Sequence, residues 1–158
     1  MLDQIIELAK QQGTAYFKNQ TNVPNEQAEQ AAATAGESIF EGLKDQLMSG
    51  NLSGVTDLLS GKSNMDGSNP IVKQIMGMFT SKLSGQSGIT AETAESASQG
   101  GIPALLQSVV GKFMSGDSAD SGFDVTALAK SVMGDKMDDV MNDLKGNLGG
   151  MLGGLFGK

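Results

Sequence analysis

The chain has 158 residues, 22 of them glycine, with 39% hydrophobic and 18% charged residues and a formal net charge of −7 at pH 7. That length suits one compact domain or two very small ones. Histidine and cysteine are absent, and all 11 basic residues are lysine. These absences remove the usual nitrogen and sulfur zinc sites, iron–sulfur clusters, disulfides, thiol nucleophiles and Ser-His-Asp arrangements. Lack of arginine removes the planar fork that clamps phosphate or reads guanine. Eighteen carboxylates against dispersed lysines also repel a phosphate backbone, so nucleic acid is not an expected partner. The expectation is a non-enzymatic protein without a cofactor, an enzyme reading surviving only as carboxylate or lysine chemistry in an unseen pocket.

The start, Met1-Leu-Asp-Gln-Ile-Ile-Glu-Leu8, has neither a basic leader region nor an unbroken apolar stretch of signal length. No run approaches the roughly 20 apolar residues of a membrane span. The expectation is a soluble cytoplasmic chain. Its first segment reads as an amphipathic helix: Asp3 stands where an N-cap belongs, and Leu2, Ile5, Ile6, Ala9 and Phe17 follow at near-helical steps. Residues 24–35 are rich in Ala, Glu and Gln and predict a second helix with a small-residue face. Ile39, Phe40, Leu43 and Leu47 predict a third over 37–49, stopped by Met48-Ser49-Gly50, and a short fourth helix follows. The stretch Gly61–Asn69 is made of turn formers and reads as a linker.

The same order then recurs. With Ile89 set on Val23, an offset of 66, residues 3–50 align without a gap and ten of 48 positions are identical, including Ile5/Ile71, Glu26/Glu92, Glu29/Glu95 and Met48-Ser49-Gly50/Met114-Ser115-Gly116. Chance would give about three or four at this composition. After the insertion between Gly116 and Asp124, the register resumes at Val55/Val125. Asn69 and Pro70 form an N-cap and first helical position, ahead of Ile71, Val72, Ile75, Met78, Phe79 and Leu83. Segments 90–98 and 102–114 repeat the second and third helices. No alternating strand pattern appears. The predicted fold is all-α, with about eight or nine short helices in two four-helix units packed with pseudo-twofold symmetry. The units are residues 1–61 and 69–131, joined by linker 62–68 and followed by a Gly-rich helix or tail over 132–158.

Several local motifs have ordinary explanations. Gly61-Lys62-Ser63 ends like a phosphate-binding loop, but Thr56 stands where the first glycine belongs. Asp117, Asp120 and Asp124 resemble a calcium loop, yet Leu128 replaces the bidentate Glu, so calcium is not expected. Glu26/Glu29 and Glu92/Glu95 have the spacing of di-metal helices without their histidines and fit the positive end of a helix dipole. Met76, Met78, Met133, Met137 and Met141 suit either core gaps or an adaptable interface.

The last 15 residues, 144–158, repeat every four. Leu144, Leu148, Leu152 and Phe156 form one apolar ladder and Met151 with Leu155 a second, beside a small-residue stripe at Gly146, Gly150 and Gly154. As a helix, its six glycines cost roughly 5–6 kcal/mol of propensity, against roughly 9–18 kcal/mol from burying six large apolar side chains. The segment therefore needs something to dock on: its own core, a second copy, or a membrane surface. A helix of this length reaches about 21 Å, short of the about 30 Å of a bilayer core, so the membrane option is a peripheral anchor. The Gly-Gly-Met-Leu-Gly-Gly-Leu-Phe-Gly run, with the Ile/Leu-rich start and Ala/Glu/Gln-rich middle helices, resembles the bacterial YidB-like domains of unknown function. The resemblance implies an all-helical bacterial protein with no assigned activity. The functional expectation is protein–protein contact, chiefly self-association into a homo-oligomer or filament through Leu144, Leu148, Met151, Leu152, Leu155, Phe156 and the three glycines. The alternative is a membrane-surface anchor made of the same residues.

Overall fold

A computed structural model describes residues 2–86 and 88–114, together with Lys130 and Gly134. Between residues 2 and 114 lie five α-helices: α1 (Leu2–Gln20), α2 (Ala28–Met48), α3 (Leu52–Leu59), α4 (Pro70–Ser84) and α5 (Ala91–Met114), with a 3-10 turn at Asn25–Gln27 before α2. No strand occurs among the described residues. The all-helical class is therefore as the sequence indicates.

The helix count is not. The two helices expected over 24–35 and 37–49 are the single helix α2, and those expected over 90–98 and 102–114 are the single helix α5. Glycine lies at both divisions, and packing carries the helix through it. A Cβ at Gly36 would stand 2.8 Å from the Ala9 Cβ and 3.0 Å from the Ile6 Cα, so this glycine is the place where α1 comes against α2. In α5, Gly101 lies under the Phe17 ring, 2.6 Å from where a Cβ would be, and the helix also accommodates Pro103, which lacks a backbone donor and whose ring crowds the carbonyl one turn back. A second correction concerns Asp3: it lies in the first turn of α1, where its charge favours the positive helix end, and not at the N-cap.

Other boundaries follow their local chemistry. Asn69 caps α4 by accepting from the Ile71 amide at 2.9 Å, with Pro70 as the first helical residue. Asn51 caps α3 by accepting from Gly54 N at 3.2 Å. Gly50 takes a φ of 85° after the last turn of α2, a left-handed conformation that suits glycine. The loop from Ser60 to Asn69 has no buried residue, as a linker should.

The helices pack as two hairpins laid against each other: α1 on α2, α4 on α5, with α2 also on α4 and α1 on α5, while α3 rests on α2 and α5. One continuous core results. Ile5, Ala9 and Phe17 line the inner face of α1 at four-residue steps, with buried Gly13 between them, and Ile71, Ile75, Phe79 and Leu83 do the same in α4. Phe17 and Phe79 stack with ring centroids 5.7 Å apart and planes at 29°. The Ala-rich start of α2, expected to have a small-residue face, buries Ala28, Ala31, Ala32 and Ala35 completely.

Two helical glycines should respond oppositely to alanine. Gly77 in α4 is exposed with no atom within 4 Å of an added Cβ, so Gly77→Ala should stabilise by about 0.5–1 kcal/mol. Gly36→Ala gains the same propensity but must push α1 backbone aside, and should destabilise by about 1–3 kcal/mol. Urea unfolding of both variants checks the pair of signs.

Candidate functional site

The residues singled out for interaction, Leu144, Leu148, Met151, Leu152, Leu155, Phe156, Gly146, Gly150 and Gly154, lie outside the described residues. So do Asp117, Asp120, Asp124, Met133, Met137 and Met141. What can be examined in space is the bundle surface and the seam between the hairpins.

Polar side chains clasp the edges of that seam. Lys82 of α4 reaches α2, where its Nζ lies 2.7 Å from Glu41 Oε2 and 3.9 Å from Glu37 Oε2. Gln46 Nε2 donates to Gln74 Oε1 at 2.7 Å, and Asn51 Nδ2 donates to Gln46 Oε1 at 2.7 Å, linking the end of α2 to α4 and to the α3 cap. Gln86 Nε2, just past α4, donates to Thr34 Oγ1 at 2.9 Å, while its buried Oε1 has no hydrogen-bond partner among the described residues. Ser98 Oγ in α5 donates to the Met76 carbonyl at 2.9 Å. Each contact fixes the relative position of two helices, which is a structural task.

The remaining motif residues fall on the surface. Glu26 lies in the 3-10 turn and Glu29 in the first turn of α2, both exposed; with Lys10, Gln30 and Ala33 they edge a shallow groove open to solvent. Lys10 Nζ stands 3.8 Å from Glu29 Oε1, with the Glu29 side chain 71% exposed, which makes this a weak surface pair. Glu92 and Glu95 are exposed on α5. Gly61-Lys62-Ser63 belongs to the loop after α3, with Gly61 at a φ of 69°. Met76 is half-buried and packs against the core, and Met78 is half-buried. Among the described residues, no three or more carboxylates converge on a position that could hold a metal ion, and no helix is long and apolar enough to cross a membrane.

No family model, curated protein or solved structure matches the chain.

The seam contacts were not singled out from the sequence. Lys82 and Glu41 are 41 positions apart, and nothing local to either residue announces the pairing. Their side chains are 34% and 44% exposed, so water and salt screen the attraction. Lys82→Met should lower stability by less than about 1 kcal/mol, and the difference from the parent should shrink in high salt; thermal unfolding at two ionic strengths measures it.

Proposed function

We propose that this chain is a duplicated, non-enzymatic helical protein that acts through protein–protein contacts and associates with further copies of itself through residues 144–158. The observation that carries the reading is how completely the described helices use their apolar side chains on one another. Among the helix residues whose burial is described, Met48 at 64% exposure is the one large hydrophobic residue that stands open. A bundle closed in this way offers little apolar surface to a partner. The apolar ladders of Leu144, Leu148, Leu152, Phe156 and of Met151, Leu155 are then the natural contact element, with Gly146, Gly150 and Gly154 permitting close helix approach. The resemblance to YidB-like domains belongs to the same reading and adds no activity to it.

The duplication is supported by matched burial. At the offset of 66, Ile5, Ala9, Gly13 and Phe17 fall on Ile71, Ile75, Phe79 and Leu83, and all of them are buried. Val23, Ala28, Ala31, Ala32, Ala35, Gly36, Ile39 and Leu43 fall on Ile89, Ala94, Ala97, Ser98, Gly101, Ile102, Leu105 and Val109, again all buried. The stretch from Asn25 to Met48, turn plus helix, has the same length and offset as α5. Exchanging the hairpins converts the α2–α4 contact into the α5–α1 contact, and both are present, as a pseudo-twofold relation requires.

Light scattering after size exclusion, on the full chain and on a chain ending at Asp143, tests the assembly. The full chain should run well above its 16.3 kDa, and the shortened chain should fall to the mass of one copy. Two monomers would overturn self-association. Flotation of the full chain with vesicles, lost on the same truncation, would instead favour the peripheral membrane anchor.

A further inference from the structure

Asp66-Gly67 is the one Asp-Gly pair in the chain, and there is no Asn-Gly. It sits in the loop between α3 and α4, with Asp66, Gly67 and Ser68 all exposed. We infer that this bond is a site of spontaneous covalent isomerisation, and that the Ser68 hydroxyl sets how fast it proceeds.

The chemistry needs only water. The Gly67 amide nitrogen bonds to Cγ of Asp66, the carboxyl hydroxyl leaves with the amide proton as water, and a succinimide ring closes. Water then opens the ring at one of its two carbonyls. Opening at one restores aspartate; opening at the other leaves the main chain running through Cγ, with the former backbone carbonyl as a free carboxyl. The product has the same mass and one more carbon in its main chain. Glycine favours the attack because it has no Cβ to crowd the nitrogen.

The folded loop works against that attack. Ser68 N donates to Asp66 Oδ1 at 2.9 Å, and the Ser68 hydroxyl donates to the same oxygen. The carboxyl is thereby drawn toward the residue beyond the attacking amide. Asn64 Nδ2 donates to Ser68 Oγ at 3.3 Å, and Asn69 Nδ2 donates to the Asn64 carbonyl at 3.0 Å, which holds the serine in place. The hydroxyl bond and then the amide bond also hold the Asp66 carboxyl below its ordinary pKa, keeping it a carboxylate, the form from which oxygen leaves poorly. Isomerisation would have a structural consequence as well. Asn69 N donates to the Asp66 carbonyl at 3.1 Å in the turn that presents the α4 cap, and isomerisation takes that carbonyl out of the main chain and makes it the free carboxyl.

The test ages the full-length protein in warm, mildly acidic buffer, cleaves it after lysine, and follows peptide 63–73 by chromatography and electron-transfer fragmentation. The parent should slowly accumulate an isobaric second peak whose fragments place isoaspartate at position 66. Ser68→Ala, at an exposed site, should accumulate it severalfold faster, while Ser68→Thr, which keeps a hydroxyl, should match the parent. Gly67→Ala should slow it severalfold. An equal rate in Ser68→Ala and the parent, a Ser68→Thr variant as fast as Ser68→Ala, or no such peak in any of the proteins would overturn the inference.

Discussion

The approach of α1 to α2 is the constraint on which the rest of the bundle depends. Along this contact the side chains are small: Ala9 lies against Gly36, and a Cβ on Gly13 would be 3.0 Å from that of Ala32. Small residues contribute little transfer free energy each, but they let two helices touch along their length, where many weak dispersion contacts add up. Once α1 is seated, Phe17 near its C-terminal end has a defined position. Its ring lies on the Gly101 backbone of α5 and stacks on Phe79 of α4, so a contact between the first two helices determines where the second hairpin sits. The interior is consequently sensitive to added volume at the glycines and to lost volume at the two phenylalanines.

Buried polar groups have been absorbed into the same scheme. Thr34 Oγ1 donates to the Gln30 carbonyl and Ser38 Oγ to the Thr34 carbonyl, each one turn back in α2. Such bonds let a hydroxyl enter a helix–helix contact without losing its partner, and they keep side-chain volume low where α2 is most enclosed. Ser98 in α5 uses its hydroxyl differently, reaching across to the Met76 carbonyl of α4.

Helical periodicity, caps and the linker could be read directly from residue spacing. Ile71, Ile75, Phe79 and Leu83 form a stripe that only a helix buries, and Asn69-Pro70 marks its start through hydrogen bonding that is local. The division of α2 and α5 into shorter helices failed for a physical reason. Gly36, Gly100, Gly101 and Pro103 weaken an isolated helix, but the effect of the three glycines in the bundle is set by what faces them, namely Ala9, Tyr16 and Phe17 from a different part of the chain. Propensity is a local quantity and close approach is not. The seam contacts were hidden for the same reason, since Gln46 meets Gln74 and Thr34 meets Gln86 only after the hairpins have docked. The candidate interaction residues 144–156 were chosen on their four-residue period alone and fall outside the described residues.

The self-association proposed above rests on surface chemistry. The hydroxyls and amides that the bundle buries are engaged chiefly with helix backbones or with one another across the seam, and the described carboxylates Glu26, Glu29, Glu92 and Glu95 face solvent. The proposed contact draws on adaptable apolar surface instead. It is available at Met48, the exposed large hydrophobic residue at the end of α2, and in the sequence at Leu144–Phe156, where leucine and phenylalanine recur beside glycine. Of these, the second has the length and the small-residue stripe to form an extended helix contact, and a closed bundle carrying one such segment per copy is suited to joining with its own kind.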